Sequence, residues 1–200
     1  MSVANSLKQS TAPLAPTGVA EAASEPLAAS DPMSHWHETL SDGSRVLIRP
    51  IRKEDAALER DFIERLSPES RWYRFLGQMK VSNDMLKRLT DIDYQREVVF
   101  VALRHDAGEK KEIGVCRFCI SADGASCECA VVVADEWQRK GLGHLLMRLL
   151  IDIARRRGIK HMFSVDSAGN RQMSDLAASL GFKRKLHHDY PGEVIYNLDL

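Results

Sequence analysis

Two neighbouring stretches hold residue types able to do group-transfer chemistry. In Ser126-Cys127-Glu128-Cys129-Ala130-Val131-Val132-Val133 a single carboxylate interrupts an apolar run. Desolvation disfavours an ionised carboxylate and raises its proton affinity, which makes it a better base near neutral pH. Because side chains alternate along a strand, Glu128, Ala130 and Val132 share a face, so a solvent-facing charge is the competing reading. Further on, Gln138-Arg139-Lys140-Gly141-Leu142-Gly143-His144 joins this strand to a long helical pattern. Glycines permit a tight turn there, and the first amides of the following helix point outward unsatisfied. Such amides, with the helix dipole and the charges of Arg139 and Lys140, hold a phosphate or pyrophosphate. A strand-to-helix turn also uses glycine for purely structural reasons. The stretch has no G-K-[ST], so it is not a P-loop. Leu146 stands where a dinucleotide fingerprint needs its third glycine.

Cys116, Cys119, Cys127 and Cys129 crowd together and invite a zinc reading. The segments that carry them read as strands, so Cys116 and Cys119 point opposite ways and only Cys127 and Cys129 share a face. Four thiolates would not converge, and the expectation is reduced cysteines acting as small hydrophobes, with no metal. His35, His37, His187 and His188 have no carboxylate or thiol partners at ligand spacing and read as surface residues.

The elements that must position these residues follow from periodicity. RVLIRPI (45–51) reads as a strand, and 53–66 as a helix with apolar residues at 58, 62 and 66. Ser67-Pro68 caps and opens a helix carrying Trp72, Tyr73 and Phe75, which read as core or pocket lining. A further short helix is capped by Ser82 or Asn83. Strands at 97–105, 111–120 and 126–134 are joined closely enough to make an antiparallel meander. Residues 142, 145, 146, 149, 150 and 153 form the apolar stripe of the long helix, and Gly158 ends it. A strand at 160–166, a helix capped by Asn170, and two terminal strands complete an α+β (α/β hybrid) pattern.

Composition bounds the rest. The 28 Lys+Arg and 28 Asp+Glu cancel, which argues against a basic nucleic-acid-binding surface or a polybasic membrane anchor. No stretch is apolar for long enough to span a bilayer, and the first ten residues lack a secretory pattern, so a cytoplasmic protein is expected. Residues 1–34 hold eight Ala, six Ser, four Pro and no aromatic residue, and read as a disordered tail before a single domain at 35–200.

Gln138, Gly141 and Gly143 after a strand, followed by Asn170 and Leu180-Gly181-Phe182, resemble the GNAT superfamily of acyl-CoA-dependent N-acyltransferases. The likeness covers roughly residues 42–200. A closer likeness, to the GNAT domains of bacterial protein lysine acetyltransferases, rests on DGSRVLIRPIRKED (42–55), LSPESRWYRF (66–75), LTDIDYQREV (89–98), ECAVVV (128–133) and DEWQRKGLG (135–143). The resemblance implies a mixed, mostly antiparallel central sheet flanked by helices, and acetyl-CoA as co-substrate. It implies that pantetheine runs beside Val131, Val132 and Val133, whose alternative role is plain strand packing. The pyrophosphate would sit on the amides from Arg139 to His144, taking in Lys140, Gly141, Leu142 and Gly143. Asn170 would contact the cofactor or simply cap its helix. Glu128 would take a proton from the acceptor amine in a ternary complex. Many family members carry a tyrosine seven residues after the Asn to protonate the leaving thiolate; here that position is Ala177. The implied partners are acetyl-CoA and an acceptor, either a protein lysine or a small amine. A non-catalytic acyl-CoA sensor is the reading from another class, and a homodimer is left open.

Overall fold

Each strand and helix read from the pattern finds its neighbours in an eight-stranded sheet. A computed structural model describes residues 35–77, 80–106 and 108–200. The expected tail, residues 1–34, lies outside the described residues. The strands are β1 (Trp36–Thr39), β2 (Arg45–Pro50), β3 (Glu97–Asp106), β4 (Glu109–Ile120), β5 (Ser126–Val133), β6 (His161–Ser167), β7 (Lys183–Leu186) and β8 (Glu193–Asp199). Their order across the sheet is β1-β2-β3-β4-β5-β6-β8-β7, and only the β5–β6 pair is parallel. The α-helices are α1 (Ala56–Arg65), α2 (Pro68–Phe75), α3 (Asn83–Thr90), α4 (Leu142–Arg156) and α5 (Arg171–Ser179). The fold is the mixed, mostly antiparallel sheet with flanking helices that the sequence led us to expect.

Local chemistry sets the boundaries. Ser67 accepts from the Ser70 amide with Pro68 in the first turn of α2, and Ser82, rather than Asn83, caps α3 by accepting from Met85. The helix expected over 53–66 begins as a 3₁₀ turn at Lys53–Asp55, held by the Asp55 carboxylate accepting from the Arg52 amide at 2.7 Å. The strand β1 was not foreseen. Trp36-His37-Glu38-Thr39 is too short to show a period, and it becomes a strand by pairing with β2 from Trp36↔Ile48 to Thr39↔Arg45. At the end of α4, Arg157 reaches out of its own helix and donates to the carbonyls of Tyr94 and Gln95.

Sheet faces follow from the register. Gly114 on β4 is opposite Val133 on β5, and a Cβ at Gly114 would sit 3.3 Å from Leu146 Cδ1. Glycine there lets α4 lie close on β4 and β5. Cys127, Cys129, Val131 and Val133 therefore face α4. Arg117, opposite Ala130, donates to the Leu89 carbonyl of α3 at 2.8 Å, so Glu128, Ala130 and Val132 face the layer of α1, α2 and α3. Cys116 and Cys119 fall on opposite faces, paired with Val131 and Glu128. All four cysteines are free thiols, and burial pushes the Cys127 thiol up to about 12.

Candidate active site

The site arises where two neighbouring strands part company. β5 and β6 pair through Ser126↔His161, Cys127↔Met162 and Glu128↔Phe163, and then stop. Beyond that rung β5 stays with β4 as far as Val133↔Gly114, while β6 stays with β8 as far as Ser167↔Glu193. The divergence leaves the β6-facing backbone edge of Val131–Val133 without a strand partner. A cavity of about 430 Å³ opens between the strands, lined by Val131, Val132 and Val133 on one side and Asp166 and Asn170 on the other. A smaller recess of about 30 Å³ reaches Glu128. Tyr73, Arg74, Val131, Asp166 and Met173 line both, so cavity and recess meet at these side chains.

Glu128 is buried, 6% exposed, and the solvent-face alternative does not hold. The reason lies outside its own strand: α2 packs across this face and brings Tyr73 and Arg74 to the recess.

The turn before α4 supplies the other half. Gln138 donates to the Val133 carbonyl at 3.1 Å and to Ser70 at 3.2 Å, tying the turn to the end of β5 and to α2. Arg139 and Gly141 both adopt left-handed backbone, φ 60° and 88°. Gly141 is the N-cap of α4 and has no side-chain cap, so the first amides keep their donors free for an anion. Arg139, Gly141, Gly143 and His144 line the cavity. The Lys140 ammonium is engaged elsewhere, 3.0 Å from Asp42 and 4.6 Å over the Trp137 ring. Leu142 is buried in the core and contributes its backbone alone. His144 Nδ1 lies 3.3 Å from Ser179 Oγ on α5.

Asn170 caps α5 by accepting from the Met173 amide at 3.1 Å, and its amide nitrogen donates to Asp166 at 3.1 Å. Its side chain at the cavity wall is thus engaged within the protein. Asp166 was not singled out in the sequence. It is 9% exposed and also accepts from the Ser167 amide at 2.7 Å, yet burial outweighs these bonds and raises its pKa to about 6. Ala177, at the position of the family's tyrosine, is buried on α5. Tyr190 is 53% exposed against the His187 ring, and Tyr73 donates to Glu69 at 3.1 Å. Among the described residues no group of three or more His, Cys, Asp and Glu side chains could hold a metal ion. No described helix is long and apolar enough to cross a membrane.

The shape fits an acyl-CoA. Free amides at a helix start suit phosphates, an unpaired strand edge suits the amides of pantetheine, and the recess suits a small acyl group beside a carboxylate. The role of Gly141 is testable. A Cβ there would meet nothing within 4 Å, so the obstacle is conformational, since left-handed backbone is strained for any side chain and most for a β-branched one. Gly141→Val should displace the amides of the turn and weaken acetyl-CoA binding more than tenfold, about 1.4 kcal/mol. Unchanged affinity by calorimetry in a folded variant would remove the turn from the binding site.

Comparison with known proteins places these features in context. The family model described as "Acetyltransferase (GNAT) family" matches residues 60–182. A Pseudomonas aeruginosa protein named as an acetyltransferase is 51% identical over 167 residues, covering 83% of this chain and 90% of its own. The crystal structure of the GNAT domain of S. lividans PAT superposes with a TM-score of 0.75 at 27% identity, over 83% of this chain and 97% of that one. A cAMP-binding acyltransferase from Mycobacterium smegmatis shares the fold, with a TM-score of 0.57 at 22% identity; the match covers 82% of this chain and 46% of that longer one.

Proposed function

Because the chain belongs to the acetyltransferase (GNAT) family and is an acyltransferase, we propose that it transfers an acetyl group from acetyl-CoA directly to lysine side chains of protein substrates. The observation that carries the reading is the placing of Glu128 at the last β5–β6 rung, on a recess that shares its lining with the large cavity. An acceptor lysine is an ammonium at neutral pH, with an ordinary pKa near 10.4, and must lose a proton before its nitrogen can attack. Glu128, on the face toward α2, takes that proton, directly or through one water. The amides from Arg139 to His144 hold the pyrophosphate, and the open edge of Val131–Val133 holds the pantetheine arm. Acetyl-CoA supplies the activated acyl group. The sequence likeness at 42–55 and 66–75 supports a protein acceptor over a small amine, and so does the structural likeness to the GNAT domain of S. lividans PAT.

The test is incubation of the purified protein with acetyl-CoA and a cell lysate, followed by mass-spectrometric mapping of acetyl-lysine. Enzyme-dependent sites absent with Glu128→Gln are expected. Acetylation confined to small amines would replace the protein acceptor, and acetyl-CoA binding without any transfer would make the chain a sensor.

A further inference from the structure

Arg74 is a buried cation that the reading above does not use. It stands on α2, is 8% exposed, and lines both the large cavity and the recess at Glu128. Among the described residues its guanidinium carbon lies 5.2 Å from the Phe75 ring, and no carboxylate or carbonyl accepts a hydrogen bond from it. Glu59 of α1 and Glu128 of β5 attract it from a distance, Arg117 of β4 repels it, and Asp166 of β6 shares its recess. Burial and Arg117 draw its pKa down to about 10, which leaves it charged at neutral pH. Burying a guanidinium without matched acceptors is costly, and among the described residues no acceptor takes any of the five N–H donors of its fixed fork. A side chain so placed is complementary to negative charge that develops where cavity and recess meet.

We propose that Arg74 is a catalytic residue of the acyl transfer, donating hydrogen bonds to the thioester oxygen as it becomes an oxyanion. The inference rests on the acetyltransferase reading. As the amine nitrogen forms its bond to the carbonyl carbon, the C=O π pair moves onto oxygen and Arg74 stabilises that charge. Glu128 has already taken the ammonium proton, and the nitrogen, positively charged once bonded to carbon, gives its second proton to water. The oxygen pair then reforms the carbonyl while the C–S bond breaks, and the thiolate leaves with its electron pair and takes a proton from water. A buried cation at the junction of cavity and recess serves this purpose.

Binding to the unmodified full chain gives the first readout. S-carboxymethyl-CoA places an anion near the position of the thioester oxygen, and S-carbamoylmethyl-CoA is its neutral isostere. Calorimetry at pH 7.5 should show at least tenfold preference for the anion, retained in Arg74→Lys and lost in Arg74→Gln. Equal affinity, or preference for the neutral analogue, would overturn the proposal and leave the recess dominated by Glu128 and Asp166. The parent's preference decides the matter even where a variant fails to fold. The second readout is transfer to a synthetic lysine peptide from pH 6.5 to 9.5. Arg74→Gln should lower kcat about a hundredfold at every pH, with acetyl-CoA affinity within twofold of the parent. A variant that regains the parent's rate at some pH would make Arg74 a counter-ion of Glu128, which also overturns the proposal. A parent that does not bind acetyl-CoA would defeat the acetyltransferase reading itself.

Discussion

Glu128→Gln should lower kcat/KM at neutral pH by about a hundredfold or more, while acetyl-CoA affinity stays near that of the parent. Glutamine keeps the size of the side chain and can still hydrogen-bond, but it cannot accept a proton. The amides proposed to hold the pyrophosphate lie beyond the far end of β5, so the cofactor should register the substitution weakly. The defect should shrink as pH rises toward the acceptor's own pKa, because free amine then exists without a base. The measurement is kcat/KM for both proteins from pH 6.5 to 9.5, with acetyl-CoA affinity alongside. Equal rates near pH 7 would take Glu128 out of the mechanism. A loss of cofactor binding in proportion to the rate would mean that the substitution disturbs β5 itself.

Much of this site could be read in the sequence because it is built from contiguous residues. The strand 126–133, the glycine turn and the apolar stripe of α4 follow one another along the chain, and local periodicity with turn chemistry places them. Alternation even put Glu128 on a face with Ala130 and Val132. What alternation could not supply was the cover over that face. That comes from α2, more than fifty positions earlier in the chain, and only packing of the two elements turns a half-polar strand face into a buried recess. Arg74 and Asp166 escaped notice for the same reason. In RWYRF and SVDS a charged residue beside small or aromatic neighbours looks like an ordinary exposed position. The flanking aromatics of Arg74 were the available signal, since a charge on an apolar helix must emerge at an edge or find a cavity. Lys140 shows the opposite failure. Its place in the turn suggested a phosphate contact, whereas Asp42, on the turn between β1 and β2, takes its charge.

The two carboxylates at the recess sit on opposite faces of the sheet. Met162 shares a face with Cys127, and alternation along β6 puts Asp166 on that same side, toward α4 and α5. Glu128 faces α2 instead. The parting of β5 and β6 is what allows both to reach a common space. In the proposed reaction an acceptor arriving past α2 would meet Glu128 first, and a thioester held from the α4 side would reach the recess from the side of Asp166. Ordering of this kind needs no motion of the sheet, only the loss of pairing after Glu128↔Phe163.

Asp166→Asn should stabilise the fold at neutral pH. Burial raises the Asp166 pKa from 3.8 to about 6, with the carboxylate of Glu193 adding to the effect. The native state thus holds a proton between those values that the unfolded chain has released. Stability then falls as pH rises from about 4 to 6 and is flat above, where the charged form is buried at a standing cost. One pKa unit corresponds to 1.36 kcal/mol, so the displacement amounts to about 3 kcal/mol. Asparagine fits the site. Oδ1 of Asp166 already receives both the Ser167 amide and the closer of the two Asn170 contacts, so an amide oxygen there can keep both bonds. Its nitrogen would then take the place of Oδ2 and give up only the longer Asn170 contact, 3.3 Å. Thermal unfolding of the parent should therefore move upward between pH 7 and pH 5, and Asp166→Asn should flatten that limb. At pH 7.5 the variant should melt roughly 6–12 °C above the parent. An unchanged or lower melting temperature would mean that the charged carboxylate is solvated well enough in the open cavity to cost the fold nothing.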